Sequence, residues 1–102
     1  MKPTPIREIL EDLARSMGWK KRMDEERAIL CWPEVVGSKV GTNTKPLKVR
    51  RGKLFVEVRS SAWMNELVFL KGDIISKLNQ RLESQVVKEI VFVAERPREA
   101  PS

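Results

Sequence analysis

The 102-residue sequence predicts an α+β domain, with helices packed on a small three-stranded sheet in the order α-α-β-β-α-β. Three observations predict it. Apolar residues recur at steps of three and four over residues 6–17 and again over 61–82, the repeat of an amphipathic helix. Between these lie two short segments, 46–50 and 53–59, in which apolar and polar residues alternate as in a half-buried strand. Finally VVKEIVFV, residues 86–93, is β-branched and apolar on both faces, which reads as a well-covered strand.

Taken in order, Thr4 and Pro5 make a helix start, an N-cap hydroxyl followed by a proline whose missing N–H costs nothing there. Ile6, Ile9, Leu10, Leu13, Ala14 and Met17 then form one apolar stripe, and Gly18 stands where a left-handed C-cap would stop the helix. A second helical stretch runs from Trp19 to Val40. Its acids Asp24, Glu25 and Glu26 suit a first turn, and Ala28, Ile29, Cys31, Trp32, Val35, Val36 and Val40 supply apolar faces. Pro33 predicts a new turn or a kink after Trp32, and Thr-Asn-Thr-Lys-Pro, residues 42–46, reads as a loop.

The two strands pair as a hairpin if Arg51-Gly52 is a two-residue turn, so that Arg50 faces Lys53 and Lys48 faces Phe55. Parity then puts Leu47, Val49, Leu54, Val56 and Val58 on the core face, and Lys48, Arg50, Lys53, Phe55, Glu57 and Arg59 on the other. Ser60 or Ser61 caps the helix over residues 61–82, whose buried stripe is Trp63, Leu67, Leu70, Ile74, Leu78 and Leu82. Gly72 within it predicts a bend or a close contact. One domain is expected over residues 1–95, with residues 96–102 as a flexible tail too poor in apolar surface to order itself.

Composition narrows the function. The chain has no histidine and a single cysteine, Cys31, so an intramolecular disulfide, a Cys/His zinc site and a histidine-based triad are excluded. No metal or other cofactor is expected, and no enzyme. The P-loop, GxGxxG, EF-hand and GxxG patterns do not occur in the sequence. Nor is there an apolar run of the roughly 18 residues that a membrane-spanning helix needs, and the N-terminus lacks a signal-peptide pattern. A cytoplasmic protein is expected.

The net charge is +6, and all of it lies in one place. Residues 35–64 hold seven basic side chains against one acid, Glu57, and the rest of the chain is balanced. Clustering of this kind is the footprint of a polyanion-binding face. The expected phosphate contacts are Lys45, Lys48, Arg50, Arg51, Lys53 and Arg59, with Phe55 as the candidate for stacking on an unpaired base. The bland reading is a solvated hairpin whose lysines guard an edge strand. Trp32 and Trp63 lie on apolar stripes and are expected in the core, whereas Trp19, beside Lys20, Lys21 and Arg22, is the tryptophan expected to be exposed. Those four residues make the alternative surface, one for a protein partner.

Trp-Pro-Glu-Val-Val-Gly (32–37), the loop at 42–46, Gly-Lys-Leu-Phe-Val-Glu-Val (52–58), Ser-Ser-Ala-Trp-Met-Asn-Glu-Leu (60–67) and Lys-Leu-Asn (77–79) together resemble the bacterial DciA family over about residues 5–95. The resemblance implies a KH-like fold lacking the GxxG loop. It also implies nucleic-acid binding, DNA in the first place, and an interaction with the replicative DnaB-type helicase, whose loading onto DNA the family assists. Many relatives carry a longer second region after the last strand. The alternative is a protein–protein adaptor, or an RNA-binding module without helicase loading.

Overall fold

A computed structural model describes residues 6–95, the side chains of Arg7 and Ala14 excepted. Helix α1 spans Ile6–Val36 and a short α2 spans Ser38–Gly41; strands β1 (Thr44–Arg50) and β2 (Lys53–Val58) follow, then helix α3 (Ser61–Leu82) and strand β3 (Glu89–Ala94). The expected order is found, but the boundary between the first two helices is not at Gly18. Helix α1 runs through Gly18 and Pro33 without a break. A mid-helix glycine costs only about 1 kcal/mol against alanine, and the turns beyond it are tied by Asp24, which bonds Lys20 at 3.2 Å and Arg27 at 3.4 Å. The stop falls at Gly37, whose φ of 89° suits glycine far better than a residue with a side chain. The predicted start at Thr4-Pro5 and the predicted tail lie outside the described residues.

Strand β1 begins two residues before the predicted position, at Thr44. The loop threonines and Asn43 explain it, because they satisfy the end of α2 with side chains. Asn43 Nδ2 donates to the Lys39 carbonyl at 2.8 Å and Thr44 Oγ1 to the Val40 carbonyl at 2.7 Å. The backbone is thus free to join the sheet at once.

The sheet order is β1-β2-β3, with β1 antiparallel and β3 parallel to the central β2. Arg51 and Gly52 have φ of 53° and 79°, the pair of positive values that defines a type I′ hairpin turn. Arg50↔Lys53 and Lys48↔Phe55 pair as the parity argument requires, but the register shifts between Pro46 and Lys48. Leu47 is therefore left without a partner and stands 42% exposed instead of facing the core. Proline has no ladder donor and is tolerated on an edge strand beside a bulge. The bulge turns Lys45 to the outer face, opposite Glu57.

The core is Leu54, Val56 and Val58 of β2, Ile90 of β3, Val87 before it, Ala28 and Trp32 of α1, and Leu67, Ile74, Leu78 and Leu82 of α3. Two predicted members of the α3 face differ: Trp63 is half-buried and Leu70 is exposed. Gly72 lies inside α3, and a Cβ there would meet nothing within 4 Å, so the close contact is not found. Ser60 caps α3 as expected, accepting from the Trp63 amide at 3.2 Å.

The N-terminal part of α1 differs most from the sequence reading. Ile6, Ile9, Leu10, Leu13 and Met17 are all exposed, Ile6 by 74%. Three strands are wide enough for two helices, and α3 with the later turns of α1 already covers them.

Asn79 closes the other end of the core. Its amide accepts from the Val87 N–H at 2.9 Å and donates to the Val87 carbonyl at 2.7 Å, holding the connection that starts at Glu83 in a left-handed conformation. Replacing it with alanine leaves both buried peptide groups unpaired, each costing about 1–3 kcal/mol. Asn79→Ala is expected to lower the unfolding free energy by about 2–4 kcal/mol in urea denaturation, with an unchanged m-value.

Candidate nucleic-acid interface

Both long helices pack on one face of the sheet, so the opposite face is built by strand residues alone. Register arranges it in three rows running from β1 across β2 to β3. These are Arg50–Lys53–Glu89 at the hairpin tip, Lys48–Phe55–Val91 in the middle and Lys45–Glu57–Val93 beyond. Lys45, Lys48, Arg50 and Lys53 are exposed, and Phe55, Glu57, Val91 and Val93 half-buried. The apolar pattern of β3 predicts cover on both sides. Only its Ile90 side has it, since no helix among the described residues lies over Val91 and Val93.

The electrostatics follow from the rows. Among the described residues no carboxylate lies within ion-pair distance of Lys45, Lys48, Arg50, Arg51 or Lys53. Arg59 stands apart from these five, with its Nε 3.7 Å from Glu95. Glu89 is shared between α3 and the hairpin, for it pairs with Lys71 and its charge also reaches Lys53 beside it. The Ile90 amide donates to its carboxylate at 2.9 Å, the Lys71 ammonium lies 3.3 Å away, and together they hold the carboxyl below its usual value.

Phe55 stands half-buried at the centre of the open face. The Lys48 ammonium sits 5.5 Å from its ring centroid, a cation–π contact. Any planar group that stacks on that side of the ring has to displace the ammonium.

Gly52 suits this turn on two counts. Beyond its φ, a Cβ there would lie 3.3 Å from the Lys88 side chain, and the Lys88 and Glu89 amides both donate to the Gly52 carbonyl, at 2.8 and 3.1 Å. Lys88 therefore belongs to the hairpin tip. Sequence reasoning missed it, because the surrounding run reads simply as an apolar strand; the lone lysine between the buried Val87 and Ile90 was the available signal.

The residues of the alternative surface are divided by the fold. Trp19 is 67% exposed as expected, Lys20 is tied to Asp24, and Lys21 and Arg22 are exposed. Trp32 lies in the core, and Cys31 is half-buried against it. Among the described residues there is no group of three potential metal ligands, and no helix is long and apolar enough to cross a membrane.

These features define a class: a small α+β module with its helices on one sheet face and the other face left open, lined with cations around an aromatic ring. Residues 5–92 match the family model described as Dna[CI] antecedent, DciA, and the chain belongs to the DciA family. It is similar to a UPF0232 protein of Mycolicibacterium paratuberculosis, 28% identical over 88 residues that cover 86% of this chain and 49% of the relative. UPF0232 proteins of Rhodococcus jostii and Mycobacterium tuberculosis are 27% and 26% identical over the same length, 86% of this chain and 47% of theirs. The chain spans about half the length of these relatives.

Proposed function

We propose that this chain is a non-enzymatic nucleic-acid-binding module that acts with the DnaB-type replicative helicase, gripping DNA through its phosphate backbone on the open sheet face. It does so as one domain over residues 1–95, with residues 96–102 as a tail. The observation that carries the reading is the uncovered face itself, where four cations without acidic partners among the described residues surround a half-buried phenylalanine, with Arg51 at the adjoining turn. Lys45, Lys48, Arg50, Arg51 and Lys53 contact phosphates, Arg59 joins them by releasing Glu95, and Phe55 offers a stacking surface. Family membership supports the helicase partner.

Such contacts carry no base code, so binding is sequence-tolerant. If about four to six phosphates are neutralised, log K against log salt falls with a slope of about −4 to −5 on duplex DNA and less steeply on single strands. Fluorescence-anisotropy titrations of labelled single-stranded DNA, duplex DNA and RNA at several salt concentrations test this. A salt-insensitive affinity sinks the backbone mechanism, and tighter binding of RNA favours the module without helicase loading. The exposed Trp19 supports a second reading, a protein adaptor, for which removal of hairpin charges changes helicase binding and leaves nucleic acid unaffected.

A further inference from the structure

We propose that the nucleic-acid path does not end at the hairpin tip but continues into the cleft beside it, where Lys21, Arg51 and Lys88 take successive phosphates of a single strand. The inference rests on the function proposed above. The cleft, of about 470 Å³, lies between α1, the β1–β2 turn and the connection from α3 to β3, and those three cations line it with Lys20, Asp24 and Ser84.

Two acids also line it, and one of them is already balanced. The Asp24 side chain is only 10% exposed and is held by Lys20 at 3.2 Å and Arg27 at 3.4 Å, so it adds no free negative charge. Glu25 remains, half-buried, against three cations that have no carboxylate within ion-pair distance among the described residues. The cleft therefore favours an anion.

Continuity identifies which anion. Arg50 and Lys53 end the open face, and Arg51 between them lines the cleft. Lys88 is pinned next in line, its stem against Gly52 and its amide on the Gly52 carbonyl. Lys21 faces it from α1. A series of cations that passes round a turn from one surface to another matches a repeating charge on a flexible chain. Single-stranded nucleic acid can bend round the tip in this way, whereas a stiff duplex cannot.

The test compares oligothymidylates of about four, eight and sixteen nucleotides, within the range that small single-strand-binding folds occupy. It uses the wild type, Lys21→Gln/Lys88→Gln and the hairpin variant Lys48→Glu/Arg50→Glu/Lys53→Glu. Both cleft lysines are exposed, so their replacement leaves the fold intact. The cleft variant is expected to bind the shortest oligomer as the wild type does. For the longest it is expected to lose about tenfold in affinity and about 1.4 in salt slope, roughly 0.7 for each of the two phosphates released. A cleft variant with wild-type affinity and slope at every length overturns the extended path while the sheet-face reading stands. A wild type that binds no oligomer at low salt overturns both.

Discussion

Reversing three charges on the hairpin, Lys48→Glu/Arg50→Glu/Lys53→Glu, is expected to lower affinity for DNA by about a thousandfold or more near 0.1 M salt. The estimate follows from counterion release. Each neutralised phosphate contributes about 0.9 to the slope of log K on log salt, so at about 0.1 M salt three lost contacts remove about 2.7 decades of affinity, and repulsion by the new carboxylates carries the loss to about a thousandfold or more. The slope on duplex should become shallower by about 3, roughly 0.9 for each phosphate no longer neutralised. The fold should survive, because all three side chains are exposed and none has an acidic partner among the described residues. The substitutions also remove the Lys48–Phe55 cation–π interaction, worth about 0.5–1 kcal/mol at an exposed site. Circular dichroism identical to wild type, with DNA binding gone, places the interface on the open face. Undiminished binding by a folded triple variant removes the sheet face from the mechanism.

Trp32→Ala is expected to be the most damaging single substitution for stability, at about 4–5 kcal/mol. Trp32 is fully buried, and truncating a buried tryptophan costs about 3–5 kcal/mol through weakened packing and the cavity left behind. Its indole N–H donates to Thr44 Oγ1 at 2.8 Å, and that hydroxyl donates onward to the Val40 carbonyl at 2.7 Å. One side chain thus ties α1 to the end of α2 and to the first residue of β1. A domain of this size has about 5–15 kcal/mol in total, so the variant should show a substantial unfolded fraction on mild heating. Trp32→Phe separates the two contributions. It keeps most of the ring volume and removes the N–H, and is expected to cost about half as much. Equal losses in the two variants, measured by denaturant titration, would contradict the assignment of most of the energy to packing.

Much of the local architecture is legible in the sequence because its cause is local. The pairing of Lys48 with Phe55 follows from a period of two and a two-residue turn. The core positions Leu67, Ile74, Leu78 and Leu82 follow from the helical repeat, and the cap at Ser60 from a hydroxyl three residues before a free amide. Each of these is decided by neighbours within a few positions. The concentration of the whole positive excess around the hairpin is equally a property of the chain, whatever its fold.

Other features depend on partners distant in the chain. Gly18 has the composition of a helix stop, but whether the chain turns there depends on the helical turns beyond it, tied by Asp24 to Lys20 and Arg27. The stripe from Ile6 to Met17 reads as a buried face; the width of the sheet leaves it uncovered. The bulge at Leu47 turns Lys45 outward, onto the face that carries Lys48 and Arg50, where parity alone would have pointed it at the core. Lys88 joins the hairpin through its amide on the Gly52 carbonyl, and the amide of Asn79 pairs with a peptide group eight residues away. The elements, most of their faces and the charge of the site are thus written residue by residue along the chain. Which faces are covered, and which cations stand together, is settled in the folded molecule, because burial and through-space proximity arise between segments far apart in the chain.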